Sequence, residues 1–192
     1  VPTGPTAPTG TETVGTAIDD TGVVVGYLIR PDNKRQAIAF RGGVWKSPSG
    51  TFASTWVQSE ATAVNAFGQI VGEATLANGS RKAFLWIGDA AYDLTELLPI
   101  GSKWKLDRAN AINSAGQIVG TGRISDGTKD QIRAFLATPA SVIGKRVARP
   151  EGTVARYPLI DILEASPGDN AANSFFWSDV ERALFAIRPV KA

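Results

Sequence analysis

Pairs of neighbouring carboxylates are the residues of this chain that are best suited to catalysis. The chain has three such pairs: Asp19 with Asp20, Asp89 with Asp93, and Asp179 with Glu181. Two carboxylates at a suitable separation are sufficient for glycoside hydrolysis. The 192 residues include no His and no Cys, which excludes a Ser-His-Asp triad, a Cys-His pair, disulfides and every imidazole or thiolate metal site.

A ten-residue repeat changes the interpretation of the first pair. Its copies begin at Ala17, Ala63 and Ala111, 46 and 48 residues apart. The third residue of each copy is Asp or Asn and the sixth is Gly: Asp19 and Gly22, Asn65 and Gly68, Asn113 and Gly116. A short acceptor side chain followed three residues later by Gly is typical of a tight turn. We therefore predict a structural role for Asp19, and solvated turn positions for the other two pairs, so no catalytic residue is expected.

The residues around the turns predict strands. β-branched residues flank each turn, and a strand-like segment follows each copy at residues 37–40, 83–86 and 134–136. Asn78-Gly79 predicts a hairpin turn, and residues 92–97 predict a fourth strand. Four short antiparallel strands in fewer than fifty residues have the size of a β-propeller blade. The sequence thus predicts an all-β fold of four-stranded repeats, propeller-like, with about four blades of which the last is divergent.

The ends of the chain are less regular than its middle. Residues 1–13 are rich in Pro, Thr and Gly and predict a linker before a β-repeat domain over 14–192. The predicted units cover residues 15–60, 61–108, 109–156 and, as a divergent last unit, 157–192. Because the first residue is Val, we expect a processed product or a fragment. The basic run from Lys145 to Arg156 is interpreted as a solvated loop, with an acidic partner as the alternative.

The repeat resembles a known family. Ala-x-Asn-x-x-Gly-Gln-Ile-Val-Gly, followed by Ala-Phe-Leu-Trp and Asp-Leu-x-x-Leu, is similar to the bacterial extracellular HAF repeat, over roughly Gly15 to Pro139. The His of the family tripeptide is replaced here by Lys82 and Arg133. The resemblance implies export to the periplasm or the extracellular space and a propeller-like β fold, and it implies no catalytic residues.

Two tryptophans are candidates for ligand binding. Trp56 and Trp104 each lie seven residues before the Ala of their repeat, within polar segments. They are interpreted as packing residues between blades or, alternatively, as exposed platforms on which sugar rings stack. Clusters of Asp and Asn near residues 126–130 and 168–170 lack the ligand spacing of a calcium loop, so neither a metal nor a cofactor is predicted.

Charge and hydropathy limit the partners. With 20 Lys and Arg against 18 Asp and Glu, the net charge is +2, which gives no electrostatic reason to expect nucleic acid or an anionic membrane. No apolar run has the length of a membrane span. We expect a non-enzymatic extracellular scaffold or protein-binding module, with an accessory subunit of a larger assembly as one form of it. The alternative is a lectin-like or carbohydrate-active propeller.

Overall fold

The described part of the chain forms three antiparallel β-sheets of four strands each. The computed structural model describes residues 12–99, 101–125, 127–139 and, for the backbone alone, 185–189. Within these residues the only helix is a single 3-10 turn, Ala53–Thr55, and no helix is long and apolar enough to cross a membrane. The all-β, antiparallel fold class is therefore confirmed.

The strands follow one another in chain order. The first sheet contains β1 (Glu12–Ile18), β2 (Val24–Ile29), β3 (Arg35–Arg41) and β4 (Val44–Lys46). The second contains β5 (Trp56–Val64), β6 (Ile70–Leu76), β7 (Arg81–Ile87) and β8 (Ala90–Asp93). The third contains β9 (Trp104–Ile112), β10 (Ile118–Ser125), β11 (Asp130–Pro139) and β12 (Phe185–Pro189).

Every sheet is a meander in which each strand pairs with the next. The sheets begin at Glu12, Trp56 and Trp104, a few residues before the predicted unit boundaries, because β5 and β9 are continuous across residues 60–61 and 108–109. Strand β1 starts at Glu12, within the predicted linker 1–13, whose residues 1–11 lie outside the described part. Strand β12, within the predicted last unit 157–192, pairs with β11 in the third sheet, and the rest of that predicted unit lies outside the described residues.

The fourth strand of the second sheet is shorter than predicted. A strand was expected over residues 92–97, whereas β8 ends at Asp93 and a turn follows. The reason is the side chain of Asp93, whose Oδ1 accepts a hydrogen bond from the Thr95 backbone at 2.8 Å. That contact is the short-range capping that Asp offers a turn in competition with a strand ladder.

A β-bulge recurs in all three sheets. At the equivalent place in each sheet, the pairing of the first strand with the second skips one residue: Thr16, Thr62 and Asn110. The second and third sheets each skip a further residue, Val57 and Asp107. The glycine opposite each bulge is the last residue of the ten-residue repeat: Gly26, Gly72 and Gly120. A Cβ there would overlap the backbone carbonyl oxygen of the bulged strand. The strand glycine is therefore required by close backbone approach.

The sheets stack in chain order. Strand β5 packs on β2 and β3 of the first sheet, and β9 packs on β6 and β7 of the second. Each interface encloses an apolar cluster. The cluster between the first and second sheets includes Val25, Ala37, Ile70, Phe84 and Trp86. The cluster between the second and third sheets includes Val71, Leu85, Leu94, Trp104, Leu106 and Phe135. Among the described residues the stack does not close into a barrel or ring.

The bulged threonines link successive sheets. The Thr16 hydroxyl donates to the Ala61 carbonyl oxygen of the second sheet at 2.6 Å and lies 3.1 Å from the Val25 carbonyl oxygen of its own sheet. Thr62 donates to the Ala109 carbonyl oxygen of the third sheet at 2.7 Å. The same side chain thus occupies the bulge and ties the first strands of neighbouring sheets together.

Candidate functional site

The three repeat turns share one geometry. The backbone N–H of the glycine donates to the carbonyl oxygen of Asp or Asn three residues earlier, at 2.8–3.1 Å, and the glycines have φ of 84°, 69° and 73°. The acid or amide oxygen also accepts backbone N–H groups, from Val23 to Asp19, from Gln69 to Asn65 and from Gln117 to Asn113. These positions are the six structural turn residues named above.

The turns differ in how they meet across the interfaces. The Asn65 side-chain amide donates to the Asn113 carbonyl oxygen at 3.0 Å, which joins the turns of the second and third sheets. Asp19 occupies the equivalent position in the first sheet, and an ionised carboxylate has no proton to donate. The corresponding link to Asn65 is therefore missing, and a cleft lies between the first two turns.

We call this space the turn cleft; its walls include Asp19, Thr21, Arg41, Phe67 and Gly68. Its volume is about 270 Å³, which is below the usual size of a small-molecule site. The cleft combines a carboxylate, a guanidinium and an aromatic ring. Phe67 stands at its rim with 62% of its surface exposed.

The carboxylate of the turn cleft stays ionised to acidic pH. Desolvation is the largest single influence and opposes ionisation of Asp19. The hydrogen bonds from Val23 and Thr21, together with the charge of Arg41, outweigh desolvation and lower the pKa of Asp19 from its ordinary value of 3.8. The cleft therefore presents one negative and one positive group at neutral pH.

The second carboxylate pair, Asp89 with Asp93, is not assembled into one site. Asp93 is buried and lies 2.8 Å from the Lys82 amino group, whereas Asp89 is exposed and lies 2.8 Å from the amino group of Lys46. The hydrogen bond from Lys46 is the main reason that the pKa of Asp89 is lowered. Each acid thus has its own lysine. Asp179 and Glu181 lie outside the described residues, as does the basic run Lys145–Arg156. Among the described residues no group of three potential ligands could hold a metal.

The two tryptophans lie at equivalent positions in different surroundings. Trp104 is 8% exposed and belongs to the apolar cluster between the second and third sheets, so its ring leaves no face for a sugar. Trp56 is half-buried, stacked on Phe84 at 4.9 Å and met edge-on by Phe52 at 5.2 Å. It also lines a second cleft, with Arg30, Gln36 and Ser59 among its neighbours.

Ion pairs cross both interfaces near the first strands. The Arg35 guanidinium of the first sheet contacts Glu60 of the second at 2.6 Å. The Arg108 guanidinium of the third sheet contacts Glu73 of the second at 2.8 Å, and Glu60 at 3.5 Å. Both glutamates are largely buried. Glu60 therefore depends on the neighbouring sheets for its charge partners, whereas Glu73 also lies 3.8 Å from Arg81 of its own sheet.

Sequence reasoning identified the turns and missed the cleft beside them. Arg41 and Phe67 were not singled out. Phe is usually buried, so a Phe at the tip of an exposed turn is unusual. The substitution of Asp for Asn at position 19 was read as equivalent, since both cap a turn. The signal was available in the donor capacity of the two side chains, because the Asn amide carries two N–H donors whereas an ionised Asp carboxylate carries none.

Comparisons with family models, with curated proteins and with solved structures find no match to this chain.

Proposed function

We propose that the protein is a non-enzymatic, propeller-like scaffold that binds another protein through the turn cleft. The propeller-like arrangement is supported by the four-stranded meanders, by their stacking in chain order and by the threonine link between successive first strands. Repetition of that link at both interfaces is what a repeat array uses to build a continuous core.

The turn cleft is the single observation that carries the binding function. The repeated polar groups are used within the fold: Asn65 bonds to the third sheet, and Thr16 and Thr62 bond across interfaces. The cleft departs from the repeat at Asp19, and it is there that a charged pair and an exposed aromatic ring occur together. Exposed aromatics beside a polar pocket are the usual anchors of protein interfaces.

The chemistry of the cleft indicates its partner. A volume near 270 Å³ accommodates one side chain, and Arg41 beside Phe67 favours a carboxylate or amide with an apolar stem. We propose a protein partner that inserts such a side chain, with the scaffold acting as an accessory subunit of a larger assembly. A location outside the cytoplasm is part of the proposal and depends on the family resemblance.

Photo-crosslinking tests this function directly. Phe67 is replaced by benzoylphenylalanine, which keeps an aromatic ring at the rim, and the chain is expressed in the organism that produces it. We expect one dominant protein adduct, identified by mass spectrometry after irradiation. The matched control carries the same residue at Ala77, an exposed position in the loop at the opposite end of the second sheet.

Two results would contradict the proposal. Equal adducts from positions 67 and 77 would indicate non-specific capture. No protein adduct at 67, with Arg41→Ala leaving all associations of the chain unchanged, would leave the cleft without a binding role. Cell fractionation of the same cultures measures the location, and a cytoplasmic chain would contradict that part alone.

Carbohydrate binding is the second candidate, favoured by the position of Trp56 on the wall of a polar cleft with Arg30 and Gln36. A glycan array with the wild-type chain and with Trp56→Phe separates the candidates. Trp56→Phe keeps an aromatic ring on Phe84 and removes the indole N–H. Sugar binding that is weakened by this change supports a lectin, whereas an array without any signal supports the protein-binding scaffold.

A further inference from the structure

The two outer faces of the stack carry the residues that the inner interfaces bury. On the third sheet, Val119 is 41% exposed, whereas its equivalents Val25 and Val71 are 1% and 0% exposed. On the first sheet, Ile18 is 66% exposed, whereas its equivalent Val64 is 9% exposed. We call these surfaces the forward face (Val119, Ile132, Ala134 and Leu136) and the rear face (Val14, Ile18 and Val24).

We infer that the forward face of one chain binds the rear face of a second copy, so that two chains form one closed ring of six sheets. This inference rests on the propeller-like stacking proposed above and continues it across a chain boundary. Both halves of the missing interface are present on every chain. A head-to-tail contact made twice about a two-fold axis closes without leaving either face uncovered.

The charge pattern of the interfaces supports this pairing. Strand register gives two sets of equivalent positions: Arg35, Arg81 and Ile132 in the third strands, and Val14, Glu60 and Arg108 in the first strands. At the first interface these positions form the ion pair Arg35 with Glu60. At the second interface they are Arg81 and Arg108, which both pair with Glu73 of the second sheet.

The outer faces replace both of those charges with aliphatic residues. Ile132 is 70% exposed on the forward face and Val14 is 39% exposed on the rear face. Contact between them would bury apolar surface against apolar surface and leave no charge unpaired. The replacement is matched on the two faces, which is the complementarity expected of surfaces that meet each other.

The bulge supplies a matching polar contact. Asn110 is the bulged residue of the third sheet and is exposed. Its Oδ1 accepts a hydrogen bond from Arg108 at 3.0 Å. Its amide N–H groups can therefore act as donors, as the hydroxyls of Thr16 and Thr62 do at the inner interfaces. The acceptor at the equivalent place on the rear face is the carbonyl oxygen of Gly15, the residue before the bulge at Thr16.

The number of sheets selects the dimer among homomeric rings. Closed propellers have about four to eight blades. The described residues of one chain form three sheets, two copies bring together six such sheets and three copies bring together nine. Counted over the described residues, two copies therefore fit this range.

Oligomeric state in solution tests the inference. The full chain has a mass of 20.2 kDa, and we expect light scattering and sedimentation velocity to give twice that mass at micromolar concentration. Ile132→Arg and Val14→Glu each place an uncompensated charge in the contact. We expect either change alone to weaken dimerisation by about 100-fold or more.

Mixing the two variants makes the test specific to a forward-to-rear contact. A mixed dimer has one interface with Arg at 132 facing Glu at 14, which imitates Arg35 with Glu60, and a second interface of wild-type residues. We expect the mixture to recover the dimer. The control is Val44→Arg, at an exposed apolar residue of the outer strand β4, which should leave the dimer unchanged.

Three outcomes would overturn the inference. The first is a monomer at every concentration, and the second is a dimer that is insensitive to Ile132→Arg and Val14→Glu. The third is that the two variants stay monomeric when they are mixed, although the circular dichroism of each is unchanged from wild type. Each of these leaves the photo-crosslinking test of the turn cleft unaffected, so failure of the dimer is distinguishable from failure of the proposed function.

Discussion

The interface between the first and second sheets differs from the one between the second and third. The former is filled by alanines, valines and the Trp56–Phe84 stack, and it has the turn cleft at one end. The latter is filled by leucines and a buried Trp104, and its turns are joined by Asn65. The backbone link through the bulged threonine is the same in both. The repeat thus gives both interfaces the same backbone link, and the side chains that fill the two interfaces differ.

The equivalent tryptophans give the largest expected difference between the two interfaces. Trp104→Ala should lower the free energy of unfolding by about 3–5 kcal/mol, because it empties a buried position. Trp56→Ala should cost about 2 kcal/mol, since that ring is half-buried. Urea denaturation followed by circular dichroism measures both. Phe67→Ala is the control, expected within about 0.5 kcal/mol of wild type because its ring is exposed; equal losses at 56 and 104 would remove the distinction.

The threonine link should contribute at both interfaces and more at the second. Thr62→Val keeps the shape of the side chain and removes the hydroxyl that bonds to Ala109, so we expect a loss of about 1 kcal/mol. Thr16→Val should cost about 0.5 kcal/mol, because Thr16 is exposed. Thr13→Val, at an exposed position of β1, serves as the control. A Thr62→Val protein as stable as wild type would show that the link is incidental to the stacking.

Asp19→Asn should make the first interface resemble the second. The new amide can donate to the carbonyl oxygen of Asn65 as Asn65 does to that of Asn113, so we expect a gain of up to about 1 kcal/mol at neutral pH. The same change should reduce crosslinking from position 67, because the turn cleft narrows. Asp20→Asn, at the exposed neighbour, is the control for the loss of one negative charge. A destabilised Asp19→Asn protein would contradict this account of the cleft.

Acid should widen the difference between wild type and Asp19→Asn. The pKa of Asp19 is lowered in the folded chain from 3.8, so its ionised form stabilises the fold above that pH, and this contribution is lost as the pH falls below 3.8 through the lower folded-state pKa. Asn has no such titration. Urea midpoints measured at about pH 7 and about pH 3 should therefore diverge in favour of the variant. Parallel changes in both proteins would indicate that Asp19 does not carry the effect.

The sequence was sufficient for the local structure of each repeat. The turns at Asp19, Asn65 and Asn113 follow from residue types alone, because capping and positive φ are short-range properties. The three-stranded core of each meander follows from β-branched segments between those turns. The same reasoning placed the fourth strand of the second sheet too far along the chain, since the cap at Asp93 competes with the ladder.

The relations between sheets were not predictable in the same way. The bulge at Thr16 depends on a carbonyl oxygen in another sheet, 45 residues away. The glycines of the second strands hinted at it, because Gly inside a strand pattern often marks a bulge. The turn cleft depends on a hydrogen bond that Asp19 cannot donate to the carbonyl oxygen of Asn65. A missing hydrogen bond produces no periodic pattern in a single sequence.

The position of β12 has a consequence for the order in which the chain folds. The first two sheets are made of neighbouring segments, so their ladders can form as soon as each hairpin leaves the ribosome. The outer edge of β11 instead waits for residues that follow it by 46 positions, from Pro139 to Phe185. Until those residues arrive, β11 presents unpaired backbone groups, which is the state in which an edge strand aggregates. Arrival of residues 185–189 is thus the step that pairs this edge of β11 in the nascent chain.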